Sequence, residues 1–583
     1  MADRRRKARR RPPPPLEGPA PSRVRRWTLL GIMAVACGAL VARAVDQQIF
    51  ETDFLQREGA RRHLRVVEMP AHRGMILDRS GEPLAISTPV HSVWANPREL
   101  VPDRGTLAPL AEVLDMGVES LRGLLARRSD RAFVYLKRQV TPAVARAVTA
   151  LDVPGVGLQR EYRRYYPSGE VTAHLVGFTD IDDIGQEGME LAYDGWLRGE
   201  PGRKRVVRDG RARVVENIES IREPRPGRDL VLSIDRRLQF LAYRELKAAV
   251  GHNKARGGTA VILDVTTGEI LAMVNQPSYN PNGSRSGLGG RVRNRALTDV
   301  FEPGSTMKPF TVSAALELGR FRSDTPVDTS PGVLRVGRNQ VKDVRDYGLL
   351  DVAGVIRKSS NVGASKIALS LPPEGLWTTL QGFGFGELTA AAFPGEATGQ
   401  LAPYQSWARF DQAALAFGYG ISVTAVQLAQ AYAVIAGDGL RRPVSLVRVD
   451  EPPAGERVLS AETARTVRGM LEAVVSAQGT APAAAIAGYR VAGKTGTVKK
   501  AVSGGYADHR YRAVFAGMAP ASEPRLVLVV LIDEPRAGKY YGGQVAAPVF
   551  SRIMAGALRL LNVTPDDRGA LGAHLAGTPG VRP

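Results

Sequence analysis

Residues 301–310, FEPGSTMKPF, place a serine and a lysine three positions apart at the head of an apolar run. Pro303-Gly304 is a turn-forming pair. Beyond Pro309 the chain is apolar at Phe310, Val312, Ala314, Ala315, Leu316 and Leu318. That pattern predicts a buried helix with Pro309 in its first turn and Gly319 at its end. Residues three apart share a helix face, so Ser305 and Lys308 can touch. Such a serine is either a helix cap or a nucleophile whose proton a neutral lysine accepts. Ser-x-x-Lys arises easily by chance, and the rest of the chain has to decide.

Two other stretches carry the residue types this chemistry needs. RKSSNVG supplies Ser359 and Asn361, and AGKTGTVKK supplies Lys494, Thr495, Gly496 and Thr497. A G-x-S-x-G elbow is absent, and no histidine or aspartate is placed by sequence as a triad partner. Singly, Ser359 and Asn361 read as turn or cap residues, and Lys494-Thr495-Gly496 as an exposed strand end. Together, in the order Ser-x-x-Lys, Ser-x-Asn, Lys-Thr-Gly, they form the set of penicillin-recognising serine enzymes. The three pieces are expected on a helix start, a helical segment and a strand. Lys499 and Lys500 are read as solvated charge.

These segments must be positioned by a sizeable fold. The chain has 583 residues, 44% hydrophobic and 23% charged, enough for more than one domain with real cores. The formal charge of +21 is concentrated at the start, where residues 1–26 hold ten arginines and lysines against Asp3 and Glu17. An apolar run, WTLLGIMAVACGALVA, follows at once. A helix over 27–45 would be about 28 Å long, roughly a bilayer core. Membrane topology therefore explains the basic tail better than nucleic acid does. No zinc-finger spacing, Walker loop or aromatic-plus-basic stacking pattern occurs. Arginines before the span keep the N-terminus cytoplasmic and put the rest outside. Ala42-Arg43-Ala44 resembles a signal-peptidase site, but the long basic region favours an uncleaved anchor. Cys37, the only cysteine, lies within the run, so disulfides within the chain and thiolate metal sites are excluded. The seven histidines show no metal-ligand spacing and are assigned structural or surface roles.

After the anchor, residues 46–64 read as a juxtamembrane helix. A mixed α+β region continues to about 227, where Pro224, Pro226 and Gly227 mark a boundary. DLVLSID reads as a strand and RRLQFLAYRELKAAV as a helix. GTAVILDVTTGEILAMVNQPS is a hairpin about Thr266-Thr267-Gly268. YRVAGKTGTV, AVFAGMAP and RLVLVVLIDEP are three late strands. One antiparallel sheet made from these first and last strands, with helices on both faces, is the expected architecture. The domain reading is a basic tail at 1–26, a transmembrane helix at 27–45 and a pedestal at 46–227. A catalytic domain follows at 228–562, then a low-complexity tail at 563–583.

The resemblance is broader than three motifs. RNRALTDVFEPGSTMKPF, KSSNVG, FGYGISVTAVQLA, KTGTVKK and YYGGQVAAPVF resemble class B penicillin-binding proteins. So do RGMILDRSGEPLA (Arg73, Gly74, Asp78, Arg79, Gly81), YYPSGEVTAHLVGF and GQEGME. FEPGST and the ending YYGGQVAAPVF are similar to the division-specific, FtsI-type group (penicillin-binding protein 3). The resemblance implies an α+β transpeptidase domain of the serine β-lactamase-like type on a mixed α+β pedestal. It implies a D,D-transpeptidase of septal peptidoglycan that needs no cofactor or metal and is a β-lactam target. Ser305 would be the nucleophile, Lys308 its base, Ser359 the proton relay and Asn361 the group that holds the peptide and orients Lys308. Lys494, Gly496, Thr495 and Thr497 would form the substrate-binding strand, and burial together with Lys494 as a second cation would keep Lys308 neutral. Implied partners are D-Ala-D-Ala stem peptides, β-lactams, a SEDS-family glycosyltransferase and other divisome membrane proteins. The implied location is the septal inner membrane.

Rival readings are an elongation-specific relative, which usually carries another residue pair before Pro-Gly-Ser, and a non-catalytic β-lactam-binding scaffold or sensor. A secreted β-lactamase would be shorter and need a deacylating base. A bifunctional class A enzyme would need acidic glycosyltransferase motifs before residue 228. N-terminal sequencing of the membrane-extracted protein tests the anchor. The expected chain retains residues 27–45, and a mature start near Val45 would make the segment a signal peptide.

Overall fold

A computed structural model describes residues 23–46, 64–100, 103–208, 214–284, 287–502 and 505–567. The expected juxtamembrane helix falls mostly outside these residues, as do most of the basic tail and residues 568–583. The described chain forms two compact units. The first holds the helix Arg23–Val45 and an antiparallel sheet in the order Leu64–Met69, Gly202–Arg208, Val214–Arg222. That helix buries none of its residues and has a mean hydropathy of 2.0 over its most apolar window, which fits a membrane anchor.

The second unit contains 70–201 together with everything from 224 onward. Its centre is a five-stranded antiparallel sheet in the order Ile270–Gln276, Gly257–Asp264, Leu526–Asp533, Gly505–Ala519, Ala492–Val502. The expected hairpin and three late strands are all present. LVLVVLID and GGTAVILD are buried almost throughout because helices cover both sheet faces, so their apolar runs are continuous rather than alternating. Arg236–His252 and Ala547–Leu560 pack together against the sheet. The first buries Leu238, Ala242, Leu246 and Ala249, one stripe at helical spacing. Ala425–Ala436, buried at all but one position, packs on the sheet and on the helix Ala461–Val475. The expected strand DLVLSID shrinks to Leu230–Val231, which pairs in parallel with Ile76–Leu77. Leu232 instead donates its N–H to Leu77 O, and Asp235 caps the helix that follows.

The segments quoted from the first exported region have structural work to do. Arg73 is fully buried and holds both Glu190 and Asp194, at 2.8 and 2.7 Å. Arg164 donates to the other oxygen of Glu190 at 2.6 Å. A Cβ on Gly74 would lie 2.0 Å from Arg228 O, so only glycine fits there. YYPSGEVTAHLVGF joins this region to the sheet domain. Tyr166 exchanges two backbone bonds with the Asn282 side chain, and Tyr279 donates its hydroxyl to Ala173 O at 3.0 Å. His174 is buried, donates to Arg291 O at 2.8 Å, and is pushed down to about 4 by burial, so it stays neutral and structural.

Glu190 neutralises two guanidiniums that water barely reaches. Glu190→Ala should cost about 3–5 kcal/mol, since breaking a buried pair leaves uncompensated charge. The shift in denaturation midpoint of the solubilised protein measures it, and a loss below about 1 kcal/mol would mean that water relaxes into the site.

Candidate active site

Four local structures converge on one point. Gly304–Met307 forms a short 3-10 turn, and Lys308–Glu317 continues it as an α-helix buried from Lys308 through Ala315. Gly304 has φ +57, and a Cβ there would meet the Val498 side chain at 2.4 Å. The helix is anchored from behind. Phe310 meets Phe383, Phe385 and Tyr432 edge-on, and the Tyr432 hydroxyl donates to Thr306 O at 3.0 Å. Glu302 accepts from Gly420 N and from the Tyr506 hydroxyl, both at 3.0 Å, which fixes the approach to Ser305.

The second motif lies between two helices, not within one. Val352–Lys358 ends at Ser359, whose φ of 60 is left-handed, and Asn361–Leu369 then begins with Ser360 as its cap. The left-handed turn reverses the chain and delivers the Ser359 hydroxyl between two lysines. Asp343, which the motif reading did not include, fixes this corner. Its carboxylate accepts from Asn361 N at 2.5 Å, Val362 N at 3.1 Å and the Ser360 hydroxyl at 2.5 Å. Its only signal in the sequence was a charged residue in a loop. The third motif lies on Ala492–Val502, the edge strand of the sheet, beside the serine turn. Gly496 allows that approach, because a Cβ would come within 2.9 Å of Pro303 O.

Lys308 Nζ, with its residue fully buried, sits 3.0 Å from Ser305 Oγ, 3.1 Å from Ser359 Oγ, 2.5 Å from Ser359 O and 2.8 Å from Asn361 Oδ1. Lys494 Nζ, equally buried, donates to Ser359 Oγ at 2.9 Å and to Thr495 O at 3.2 Å. Ser359 Oγ thus bridges the two amines. Thr495 Oγ1 is 3.0 Å from Thr480 Oγ1, and Thr497 Oγ1 accepts from Gly542 N at 2.9 Å. Every sequence-predicted residue, Ser305, Lys308, Ser359, Asn361, Lys494, Thr495, Gly496 and Thr497, belongs to this cluster or to the strand beside it.

Burial lowers the Lys308 pKa well below the usual range, the charge of Lys494 adds to that, and Asp343 partly opposes it. Burial also brings Lys494 down to about 7. Burial and the second cation are the two causes expected from the sequence; desolvation is the larger, and Lys494 keeps its own charge only up to neutral pH. Lys500 departs from the solvated reading. It is largely shielded and pairs with Asp533 at 2.9 Å and Glu534 at 2.8 Å, whereas Lys499 is exposed and pairs with exposed Asp508.

A serine in the turn that opens a buried helix, a buried lysine of lowered proton affinity beside it and a Lys-Thr-Gly edge strand define the penicillin-recognising class of serine acyltransferases. The comparisons agree. Residues 258–555 match the penicillin-binding protein transpeptidase domain and 68–232 the penicillin-binding protein dimerisation domain. The chain belongs to the penicillin-binding protein transpeptidase family. It is 46% identical over 544 residues to the peptidoglycan D,D-transpeptidase FtsI of Escherichia coli K12, covering 92% of each chain. The transpeptidase domain of Burkholderia pseudomallei penicillin-binding protein 3 is 49% identical, with a TM-score of 0.54 over 57% of this chain and 97% of that one. Penicillin-binding protein 3 of Mycobacterium tuberculosis, solved with aztreonam, is 30% identical, with a TM-score of 0.68 over 86% and 98%.

The contact between the strand and the serine turn predicts the effect of one methyl group. Gly496→Ala should push Pro303 and Ser305 from their places and slow β-lactam acylation of Ser305 by about a hundredfold, since small misplacements near reacting groups cost that much. Stopped-flow acylation rates check it, and a rate within about twofold of wild type would show that the turn yields freely.

Proposed function

We propose that the chain is a septal peptidoglycan D,D-transpeptidase in which Ser305 attacks the carbonyl between the two terminal D-alanines of a stem peptide. The observation that carries this reading is the environment of Lys308 Nζ. A neutral amine has two N–H donors and one lone pair. Ser359 O and Asn361 Oδ1 can only accept, so they take the two donors, which leaves the lone pair for the hydroxyl of Ser305. Lys308 accepts the serine proton as the Oγ–carbon bond forms. The developing oxyanion falls to the N–H groups of Ser305 and Thr497. The proton returns through Ser359, bridged to both lysines, to the leaving amine as the carbon–nitrogen bond breaks and D-alanine departs. Thr495 and Thr497, with protonated Lys494, bind the terminal carboxylate, and Asn361 holds the peptide. An amine of a neighbouring strand then attacks the acyl-enzyme, which forms the cross-link and frees Ser305.

A β-lactam presents a strained amide to the same serine, and the acyl-enzyme persists. On this reading the tail is cytoplasmic, 46–227 is a periplasmic pedestal, 228–562 is the catalytic domain and the protein works at the division septum. A SEDS-family glycosyltransferase and other divisome membrane proteins are its partners. The similarity to FtsI supports division over elongation, and the intact lysine–serine contacts support an enzyme over an inert scaffold.

Labelled penicillin should modify Ser305 alone, and Ser305→Ala should abolish labelling. Lys308→Arg should acylate about a hundredfold or more slowly, since arginine cannot take up the proton. Acylation should rise with pH as Lys308 deprotonates and fall as Lys494 loses its proton near 7, or higher with a carboxylate ligand bound. Lys494→Arg should remove the alkaline limb. Near wild-type acylation by Lys308→Arg, or an unchanged alkaline limb in Lys494→Arg, would overturn these roles.

A further inference from the structure

At the end of the central sheet lies a second polar depression, of about 370 Å³, that the mechanism leaves unused. Its cationic lining comes from Arg256, Arg293, Arg295, Lys500 and Arg512, and its acidic lining from Asp299 and Asp533. Register places it. Arg512 pairs across with Val498 on one side and Asp533 on the other, and Asp533 pairs with Gly257. The facing wall is the stretch around Arg293–Asp299, which leads directly into Phe301 and Ser305. A narrower recess lined by Phe301, Thr259 and Leu531 shares Arg295, Arg512 and both acids with it.

The cations are not equally occupied. Lys500 and Arg512 share Asp533, Arg256 reaches Glu534 at 3.2 Å, and Arg293 pairs with Asp299. Lys500 and Arg536 also lean on Glu534, so carboxylates are outnumbered throughout. Arg295 is half-buried, lines both recesses and has no carboxylate or hydrogen-bond acceptor for its guanidinium among the described residues. It lies against the sheet where Gly257 has no side chain, since a Cβ there would be 3.2 Å from its Nη1. A guanidinium presents five donors in a planar fork matched to a carboxylate or phosphate, and leaving it partly desolvated without an acceptor is unfavourable.

We propose that this depression is an anion subsite that takes a carboxylate of the stem peptide upstream of the reacting bond, with Arg295 as its principal ligand. The proposal rests on the transpeptidase reading for the identity of the peptide. Lys500 follows Thr497 by three residues on the edge strand, roughly 10 Å at strand rise. A peptide with its terminal carboxylate at Thr495 and Thr497, extended along that open edge, reaches the depression within a few residues. A small β-lactam held at Ser305 does not.

The test uses the full chain in detergent, with fluorescent acetyl-triglutamate, its fully amidated counterpart and inorganic pyrophosphate as probes. Wild type should bind triglutamate but not the amide. Arg295→Gln should weaken that binding about tenfold or more, as expected for loss of a bidentate charged contact, and Arg295→Lys should fall between. Penicillin labelling of Ser305 should be unchanged in both variants, which separates loss of the subsite from loss of the fold. If Arg295→Gln loses labelling, the exposed Arg293→Gln supplies the same comparison with a smaller expected loss. Equal triglutamate binding by wild type and variant, or equal binding of the amide, overturns the proposal. Binding of pyrophosphate in preference to triglutamate reassigns the anion to a phosphate-bearing ligand and overturns the peptide assignment. Failure of penicillin to label wild-type Ser305 would instead bring down the transpeptidase reading and leave anion binding at Arg295 standing.

Discussion

Two lysine side chains shut away from water, with one serine hydroxyl between them, set the terms for this protein. An ammonium group is costly to bury, and here the cost appears as a lowered proton affinity, the property that the proposed base role of Lys308 requires. That requires three segments far apart in sequence to close over the amines with almost no solvent gap. The sheet supplies one rigid wall, the aromatic cluster behind Phe310 holds the second, and Asp343 fixes the third from outside. Glycines stand where these walls meet. Gly304, Gly418 and Gly496 have backbone or side-chain atoms where a Cβ would sit, so the close fit is written into backbone geometry as well as into side chains.

Much of this was legible in the sequence. Continuous apolar runs such as LVLVVLID announce strands covered on both faces, and the helix 236–252 shows its stripe plainly. The residues that meet at Lys308 were legible too, because the proposed nucleophile, base and carboxylate-binding strand each demand particular residue types. What escaped were features that exist only after folding. Asp343 is one of many loop acids until the 340s pack beneath Asn361. Lys500 reads as solvent-facing until Asp533 and Glu534 arrive from a strand more than thirty residues later. The short parallel pairing of Leu230–Val231 depends on a partner from residues 76–77, which no local pattern signals.

The same contrast holds for the region before the catalytic sheet. Its quoted motifs looked like signatures and prove to be joinery. Arg73 is the hub of a buried charge cluster, Asp78 receives the N–H groups of Ser80 and Glu82, and Arg79 reaches Glu269 on the sheet domain at 3.2 Å. Charged residues outside the candidate site are here a means of fixing one region against another. The Tyr166–Asn282 exchange and the His174 bond serve the same end with neutral groups.

The left-handed backbone of Ser359 has a consequence of another kind. A residue with a Cβ is strained in that conformation by about 1–2 kcal/mol, and glycine would relieve it. Glycine would also delete the hydroxyl that links the two amines. With the proposed relay role of Ser359, position 359 is a place where thermodynamic optimisation and turnover are opposed. A search for hardier variants of this enzyme, run without a catalytic screen, would drift toward a protein that folds better and no longer moves the proton.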